Sequence, residues 1–171
     1  VAIFGVISVA DIFTELYFGP GFEKTSILLI YLIPRVLFFG IGNVLRTQYL
    51  IPKKLDKIYI NSALIGAVLN LITNWILIPM FNSVGAAIST LFAEISVCVY
   101  QFYMVRQDVK IRKYILGASS YLLSGLIMYV ILKLVPTSEN IALCLLQKIC
   151  LGGIVYIVIA GAILLIRRKE I

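Results

Sequence analysis

The 171-residue chain is 61% hydrophobic and 13% charged, with a mean hydropathy of +1.04 and a formal net charge of +7. Soluble domains are about half apolar and about a quarter charged, so a water-soluble fold of this length could not hide so much apolar surface. The basic residues lie between long apolar blocks and not on one basic face, which argues against nucleic acid as a partner and for a membrane.

In chain order, six apolar blocks run Val1 to Leu16, Ser26 to Leu50, Ile58 to Met80, Gly85 to Val105, Tyr114 to Val135 and Ile141 to Ile166. A bilayer core about 30 Å thick needs about 20 apolar residues per helix, and each block meets that need, the first only if its upstream end is cut short. Barrel strands are about 10 residues long and alternate in polarity; these blocks are too long and too evenly apolar. The expected fold is all-α: a polytopic transmembrane bundle of six helices, four in residues 1–113 and two more in 114–171 ahead of a basic tail. Val1 opens inside an apolar run with no Met, basic segment or cleavage site before it, so more helices are expected upstream and a signal peptide is not.

Charge alternates along the connectors. Lys53, Lys54 and Lys57 mark the second, Arg106, Lys110, Arg112 and Lys113 the fourth, and Arg167, Arg168 and Lys169 the tail, while Phe81 to Val84 and Pro136 to Asn140 carry no basic residue. The connector from Phe18 to Thr25 has only Glu23 and Lys24. Basic connectors stay in the cytoplasm, which predicts a multi-pass membrane protein with its C-terminus inside. Gly19-Pro20-Gly21, Pro52, Pro79 and Pro136 sit at block ends, where the chain must reverse.

Ionisable groups at membrane depth face a bundle interior or an aqueous cavity. Arg35 lies about 14 Å into its block at about 1.5 Å per residue, and Glu94 lies equally far from Gly85. Arg46 follows Arg35 by eleven residues, three helical turns, which sets both guanidinium groups on nearly one face with Phe39, Gly42 and Asn43 between them. Two cations on one face suit a phosphate or pyrophosphate, because the planar guanidinium donates in pairs. The alternative is an Arg35–Glu94 ion pair tying two helices together, with Arg46 reaching for the cytoplasmic interface. Asp11 and Glu15, one turn apart, read either as a solvated helix end or, for Asp11, as a cavity carboxylate. Ala63, Gly66, Ala67, Asn70 and Thr73 or Asn74 form a small and polar stripe that suits a packing seam or a sugar contact, and Ala86, Ser89, Thr90 and Ala93 repeat the theme.

Cys98, Cys144 and Cys150 lie inside apolar blocks without ligand or disulfide spacing and read as small core residues. The chain has no histidine, nucleophile elbow, phosphate-binding loop or close carboxylate pair deep in the membrane, so neither an enzyme, a cofactor nor a bound metal is expected.

The stretch from Gly66 through Asn70, Asn74 and Pro79, followed by Val84-Gly85-Ala86-Ala87, Thr90 and Glu94, resembles the C-terminal half of polysaccharide-exporting flippases, the Wzx-type members of the MOP superfamily. Leu45-Arg46-Thr47-Gln48 with Pro52-Lys53-Lys54, and Leu16-Tyr17-Phe18-Gly19 with Phe22, are similar to that family too. The resemblance covers most of residues 1–113. It implies a MATE-like fold in which these would be the ninth to fourteenth of fourteen helices. It further implies alternating-access transport of undecaprenyl-pyrophosphate-linked oligosaccharide for capsule or O-antigen synthesis. Membrane lipid, the undecaprenyl-linked saccharide, a polysaccharide polymerase and a chain-length regulator are the implied partners. Arg35 and Arg46 are the expected pyrophosphate contacts, with Glu94, Asp11, Asn70 and Asn74 lining the cavity or coupling transport. An ion-coupled multidrug exporter of the same superfamily, using Asp11 or Glu94, and a membrane scaffold or polymerase subunit are the alternatives.

Overall fold

The computed structural model describes residues 2–109, 111–135 and 140–168. Lys110, Lys169 and the expected outer connector at 136–139 lie outside the described residues, as do the side chains of 111–118, 120 and 164–168. Among the described residues every regular element is helical: α1 (Ala2–Phe18), α2 (Glu23–Leu32), α3 (Arg35–Leu45), a π-helical turn (Arg46–Leu50), α4 (Asp56–Phe81), α5 (Ser83–Val105), α6 (Ile111–Leu134) and α7 (Ile141–Arg168). The apolar blocks thus become helices within a few residues of their sequence limits.

The second block is not one smooth rod. Pro34 has no N–H and its ring collides with the carbonyl one turn back, so α2 ends at Leu32 and the chain restarts as α3 through the turn bonds Val36 N–H to Ile33 O (3.0 Å) and Leu37 N–H to Pro34 O (3.1 Å). Near the other end, Pro52 cannot donate to the carbonyl of Gln48. The chain loosens into a π turn instead, with Ile51 N–H on Arg46 O at 2.9 Å. Together these pieces make a 28-residue span, Glu23–Leu50.

Three further helical stretches are long and apolar enough to cross a membrane: Asp56–Phe81, Ser83–Val105 and Ile141–Ile163. The 17-residue α1 falls short of that length, and the apolar stretch described in α6 is Tyr121–Leu134. Only 6% of the apolar window in α4 is buried within the fold, and Trp75 and Leu71 are 83% and 71% exposed. Water would penalise such an exterior severely and acyl chains would not. The chain is therefore a multi-pass membrane protein.

The helices fall into two compact units. In the first, residues 1–29 and 112–171, α1 packs on α7. Phe4 sits against Gly125 of α6, where an added Cβ would lie 2.7 Å from the ring, and Met128, Leu132 and Cys144 are buried. Cys98 is buried as well, but Cys150 faces outward, so it is not the core residue expected from its apolar surroundings.

In the second unit, residues 30–111, α4 and α5 form a tight antiparallel pair and α3 packs on α5. Asn82 alone joins α4 to α5 with φ +52, a region asparagine tolerates better than most residues. A Cβ on Gly85 would fall 2.1 Å from Leu77 O, so only glycine fits the reversal. Lower down, Gly66 lies against Ala93 O and Val97, letting the two backbones approach.

Candidate functional site

Most of the polar groups that lipid cannot accommodate lie in the second unit, on α3, α4 and α5, and Asp11 lies in the first, on α1. Arg35 is the first residue of α3, just past the Pro34 break, and lies near the middle of the 28-residue span. Glu94 lies near the middle of the 23-residue α5. The two meet: Arg35 Nε donates to Glu94 Oε1 at 3.3 Å, with side-chain exposures of 42% and 21%. A charge at the bilayer centre costs roughly 2.5–3.5 kcal/mol even by the mildest scale, and groups that bear one there pair with each other, as these two do. The contact uses one nitrogen of the guanidinium. The four N–H groups on the two Nη atoms have no hydrogen-bond partner among the described residues.

Arg46 is engaged elsewhere. Its Nη1 donates to the Tyr59 hydroxyl on α4 at 3.1 Å, and its Cζ lies 5.0 Å from the Tyr59 ring centroid. No hydrogen bond joins it to Arg35. Eleven residues of helix separate Arg35, at the start of α3, from Arg46, in the π turn that follows it, by about 16 Å of rise, too far apart to act as one clamp.

Asn70 and Asn74 close on each other one turn apart in α4, Asn74 Nδ2 donating to Asn70 Oδ1 at 2.8 Å, while Asn74 Oδ1 is sealed from solvent without a partner. Asp11 belongs to the other unit, where it accepts a hydrogen bond from the Ser26 hydroxyl across α1 and α2. It is itself exposed.

One buried pair has no counterpart in the sequence reading. Gln101, 2% exposed, donates from Nε2 to Ser62 Oγ at 2.8 Å across α4 and α5. Ser62 gives its proton to Tyr59 O at 2.7 Å, so its oxygen can only accept and the amide orientation of Gln101 follows. Gln101 Oε1 is thereby turned toward Gly42 of α3, whose added Cβ would lie 3.6 Å away. That oxygen and Arg46 Nε, one turn beyond Gly42, are both sealed from solvent and unpartnered. The signal available in sequence was a single amide inside an apolar helix.

Among the described residues no group of three or more His, Cys, Asp or Glu side chains could hold a metal ion.

No protein-family model matches the chain, and no curated protein matches it. Among solved structures it is similar to the lipid II flippase MurJ in an inward closed conformation. The TM-score is 0.80 at 22% identity, over 94% of this chain and 35% of that one. The chain therefore spans about a third of the length of that protein. At this identity the likeness speaks for architecture: an all-α polytopic helix bundle of the kind MurJ contains.

Proposed function

We propose that the chain is part of a flippase that carries a lipid-linked saccharide across the bacterial cytoplasmic membrane, and that Arg35 meets the anionic head of that cargo. The observation that carries the reading is the midspan guanidinium of Arg35, anchored to Glu94 through Nε, with both Nη groups free of hydrogen-bond partners among the described residues. A fork of this geometry fits phosphate oxygens in pairs. The interrupted span supports the same reading, since transporters place substrate sites where membrane helices are discontinuous, and Pro34 interrupts the helix immediately before Arg35.

The likeness to a flippase named for lipid II supports a lipid-linked cargo in general. The finer assignment to undecaprenyl-pyrophosphate-linked repeat units for capsule or O-antigen rests on the residue resemblance around Asn70, Asn74 and Pro79. On this reading residues 1–113 belong to the transporter lobe, 114–171 form an added helix pair, and the C-terminus lies in the cytoplasm. Arg46 is a second station near the cytoplasmic end, already turned to Tyr59. Asn70, whose Nδ2 is not used in the bond to Asn74, offers an amide donor to hydroxyl-rich cargo, while Asn74 holds it in place. Transport by such a mechanism moves cargo without making or breaking a covalent bond, and nothing in the site calls for a cofactor. A polymerase and a chain-length regulator would act on the delivered units.

The test is delivery of repeat units by the full-length protein carrying Arg35→Ala. Polymer output should fall while protein level stays normal; unchanged output would remove Arg35 from the cargo path.

An ion-coupled exporter is the second reading, favoured by one observation: Asp11 is an exposed carboxylate in an apolar helix, held by Ser26. Asp11→Asn should abolish ion-dependent efflux if that reading is right.

A further inference from the structure

The connectors on either side of α4 and α5 are clamped to each other. Leu50 and Val105, 0% and 1% exposed, form a core into which Leu55, Ile58, Phe102 and Val109 pack. The loop after the π turn and the turn after α5 therefore make one platform at the same end of the second unit. Lys53, Lys54, Lys57 and Arg106 stand on it, all exposed.

The placement of these cations is more specific than their number. Lys53 Nζ lies 4.3 Å from the Tyr49 ring centroid and donates to the Tyr49 hydroxyl at 2.8 Å, while Arg106 Cζ lies 4.1 Å from the Tyr103 centroid. Tyrosines favour the headgroup level of a bilayer, and here they hold two cations from two different connectors at that level. The Tyr49 hydroxyl beside Lys53 keeps its ammonium above the ordinary lysine range, with Asp108 adding to the effect. The one ion pair among the described residues is Arg35–Glu94; the exposed carboxylates Asp56 and Asp108 share the platform without coming within ion-pair distance of its four cations, which outnumber them.

Lys54 adds a backbone argument. Leu55 N–H to Leu50 O and Lys54 N–H to Ile51 O, both 2.9 Å, close the helix in the pattern that puts one residue in the left-handed region. That residue is Lys54, with φ +57, where glycine is the low-cost choice. The chain carries a cation at a position where local structure favours glycine.

We propose that this platform is a docking surface for the headgroup of an anionic phospholipid, with Lys53 and Lys54 from one connector and Arg106 from the other meeting its phosphate. Charge complementarity selects the headgroup. The exposed apolar sides of α4 and α5, which end at the platform, supply the track for its acyl chains. Orientation by positive charge needs only a count of basic residues near helix ends; two cations seated on tyrosines over a shared core go beyond that need.

The experiment uses the full-length protein purified in detergent, mixed with equal amounts of phosphatidylglycerol and phosphatidylcholine, and counts retained lipids by native mass spectrometry. A basic residue near a membrane surface strengthens attraction to anionic lipid about fivefold. Wild-type protein should retain phosphatidylglycerol preferentially, and the K53Q/K54Q/R106Q variant should lower that preference by about a hundredfold at most. The K53R/K54R/R106K variant, with charge conserved, should keep most of it and controls for folding. Equal retention of the two lipids by wild-type protein would overturn the proposal without recourse to any variant. A preference unchanged in K53Q/K54Q/R106Q would do the same, leaving the platform a determinant of orientation only.

Discussion

Arg35 Nε and Glu94 Oε1 lie 3.3 Å apart across α3 and α5, each near the middle of its span. The bond ties the two helices at the depth where a lone charge is most costly, and it leaves most of the guanidinium unspent. Structural tie and cargo contact are thus compatible roles for one side chain, which two kinds of variant can separate. Removing one partner of an ion pair strands the other, whereas replacing both with apolar residues can be nearly neutral. For a pair this exposed, Glu94→Gln should lower stability by about 1–2 kcal/mol, below the roughly 3–5 kcal/mol of a fully buried pair. The R35M/E94L double variant should recover most of that loss. Thermal unfolding of the full-length protein in detergent reads both.

Gly66 and Gly85 should respond differently to alanine. At Gly66 the new Cβ would fall 2.4 Å from Val97 Cγ2, a side-chain atom, while at Gly85 it would fall 2.1 Å from the Leu77 carbonyl oxygen, which is backbone. Gly66→Ala should cost about 1–3 kcal/mol and be largely rescued by Val97→Ala. Gly85→Ala should cost more and find no single rescuing side chain. Chemical or thermal denaturation of the three variants and the G66A/V97A pair tests the order.

The helix ends and the shared depth of Arg35 and Glu94 were legible in the sequence because both depend on distance along a chain of known rise. Ile58 to Met80 became Asp56–Phe81 and Gly85 to Val105 became Ser83–Val105, differences of one turn or less. The break at Pro34 and the π turn at Arg46–Leu50 were not read, since apolar averaging over a span is blind to one missing N–H. The Gln101–Ser62 bond was also out of reach. Those residues are 39 positions apart, and hydropathy does not determine how two mostly apolar helices are rotated about their axes. The aim of Arg46 at Tyr59, thirteen residues on, was hidden for the same reason.

The Gln101–Ser62 pair should be asymmetric under mutation. Gln101→Met removes the bond to Ser62 but also removes the unpartnered Oε1, and Ser62 keeps its bond to Tyr59 O. Its effect should stay within about 1 kcal/mol. Ser62→Ala leaves the buried Gln101 amide with no partner at either end, which should cost about 1–3 kcal/mol. Unfolding midpoints of the two variants in one detergent decide the matter; a larger loss for Gln101→Met would contradict the assignment of the amide.

Lys54→Gly should stabilise the protein by up to about 1 kcal/mol, because glycine adopts the +57 φ of this position without steric penalty. The same variant should retain less phosphatidylglycerol. A change that raises the unfolding temperature while weakening lipid retention would separate local backbone strain from the use made of the charge.

The central claim, that Arg35 contacts the anionic head of a lipid-linked cargo, is tested most directly by measuring the affinity of purified full-length protein for an undecaprenyl-pyrophosphate-linked oligosaccharide. The measurement compares wild-type protein with the R35M/E94L variant, in which neither charge is left without its partner. Losing a charged partner from a phosphate contact is worth about 2–5 kcal/mol, so the variant should bind at least about thirtyfold more weakly while unfolding near the wild-type temperature. Equal affinity in the two proteins would contradict the claim and leave Arg35 and Glu94 as a tie between helices.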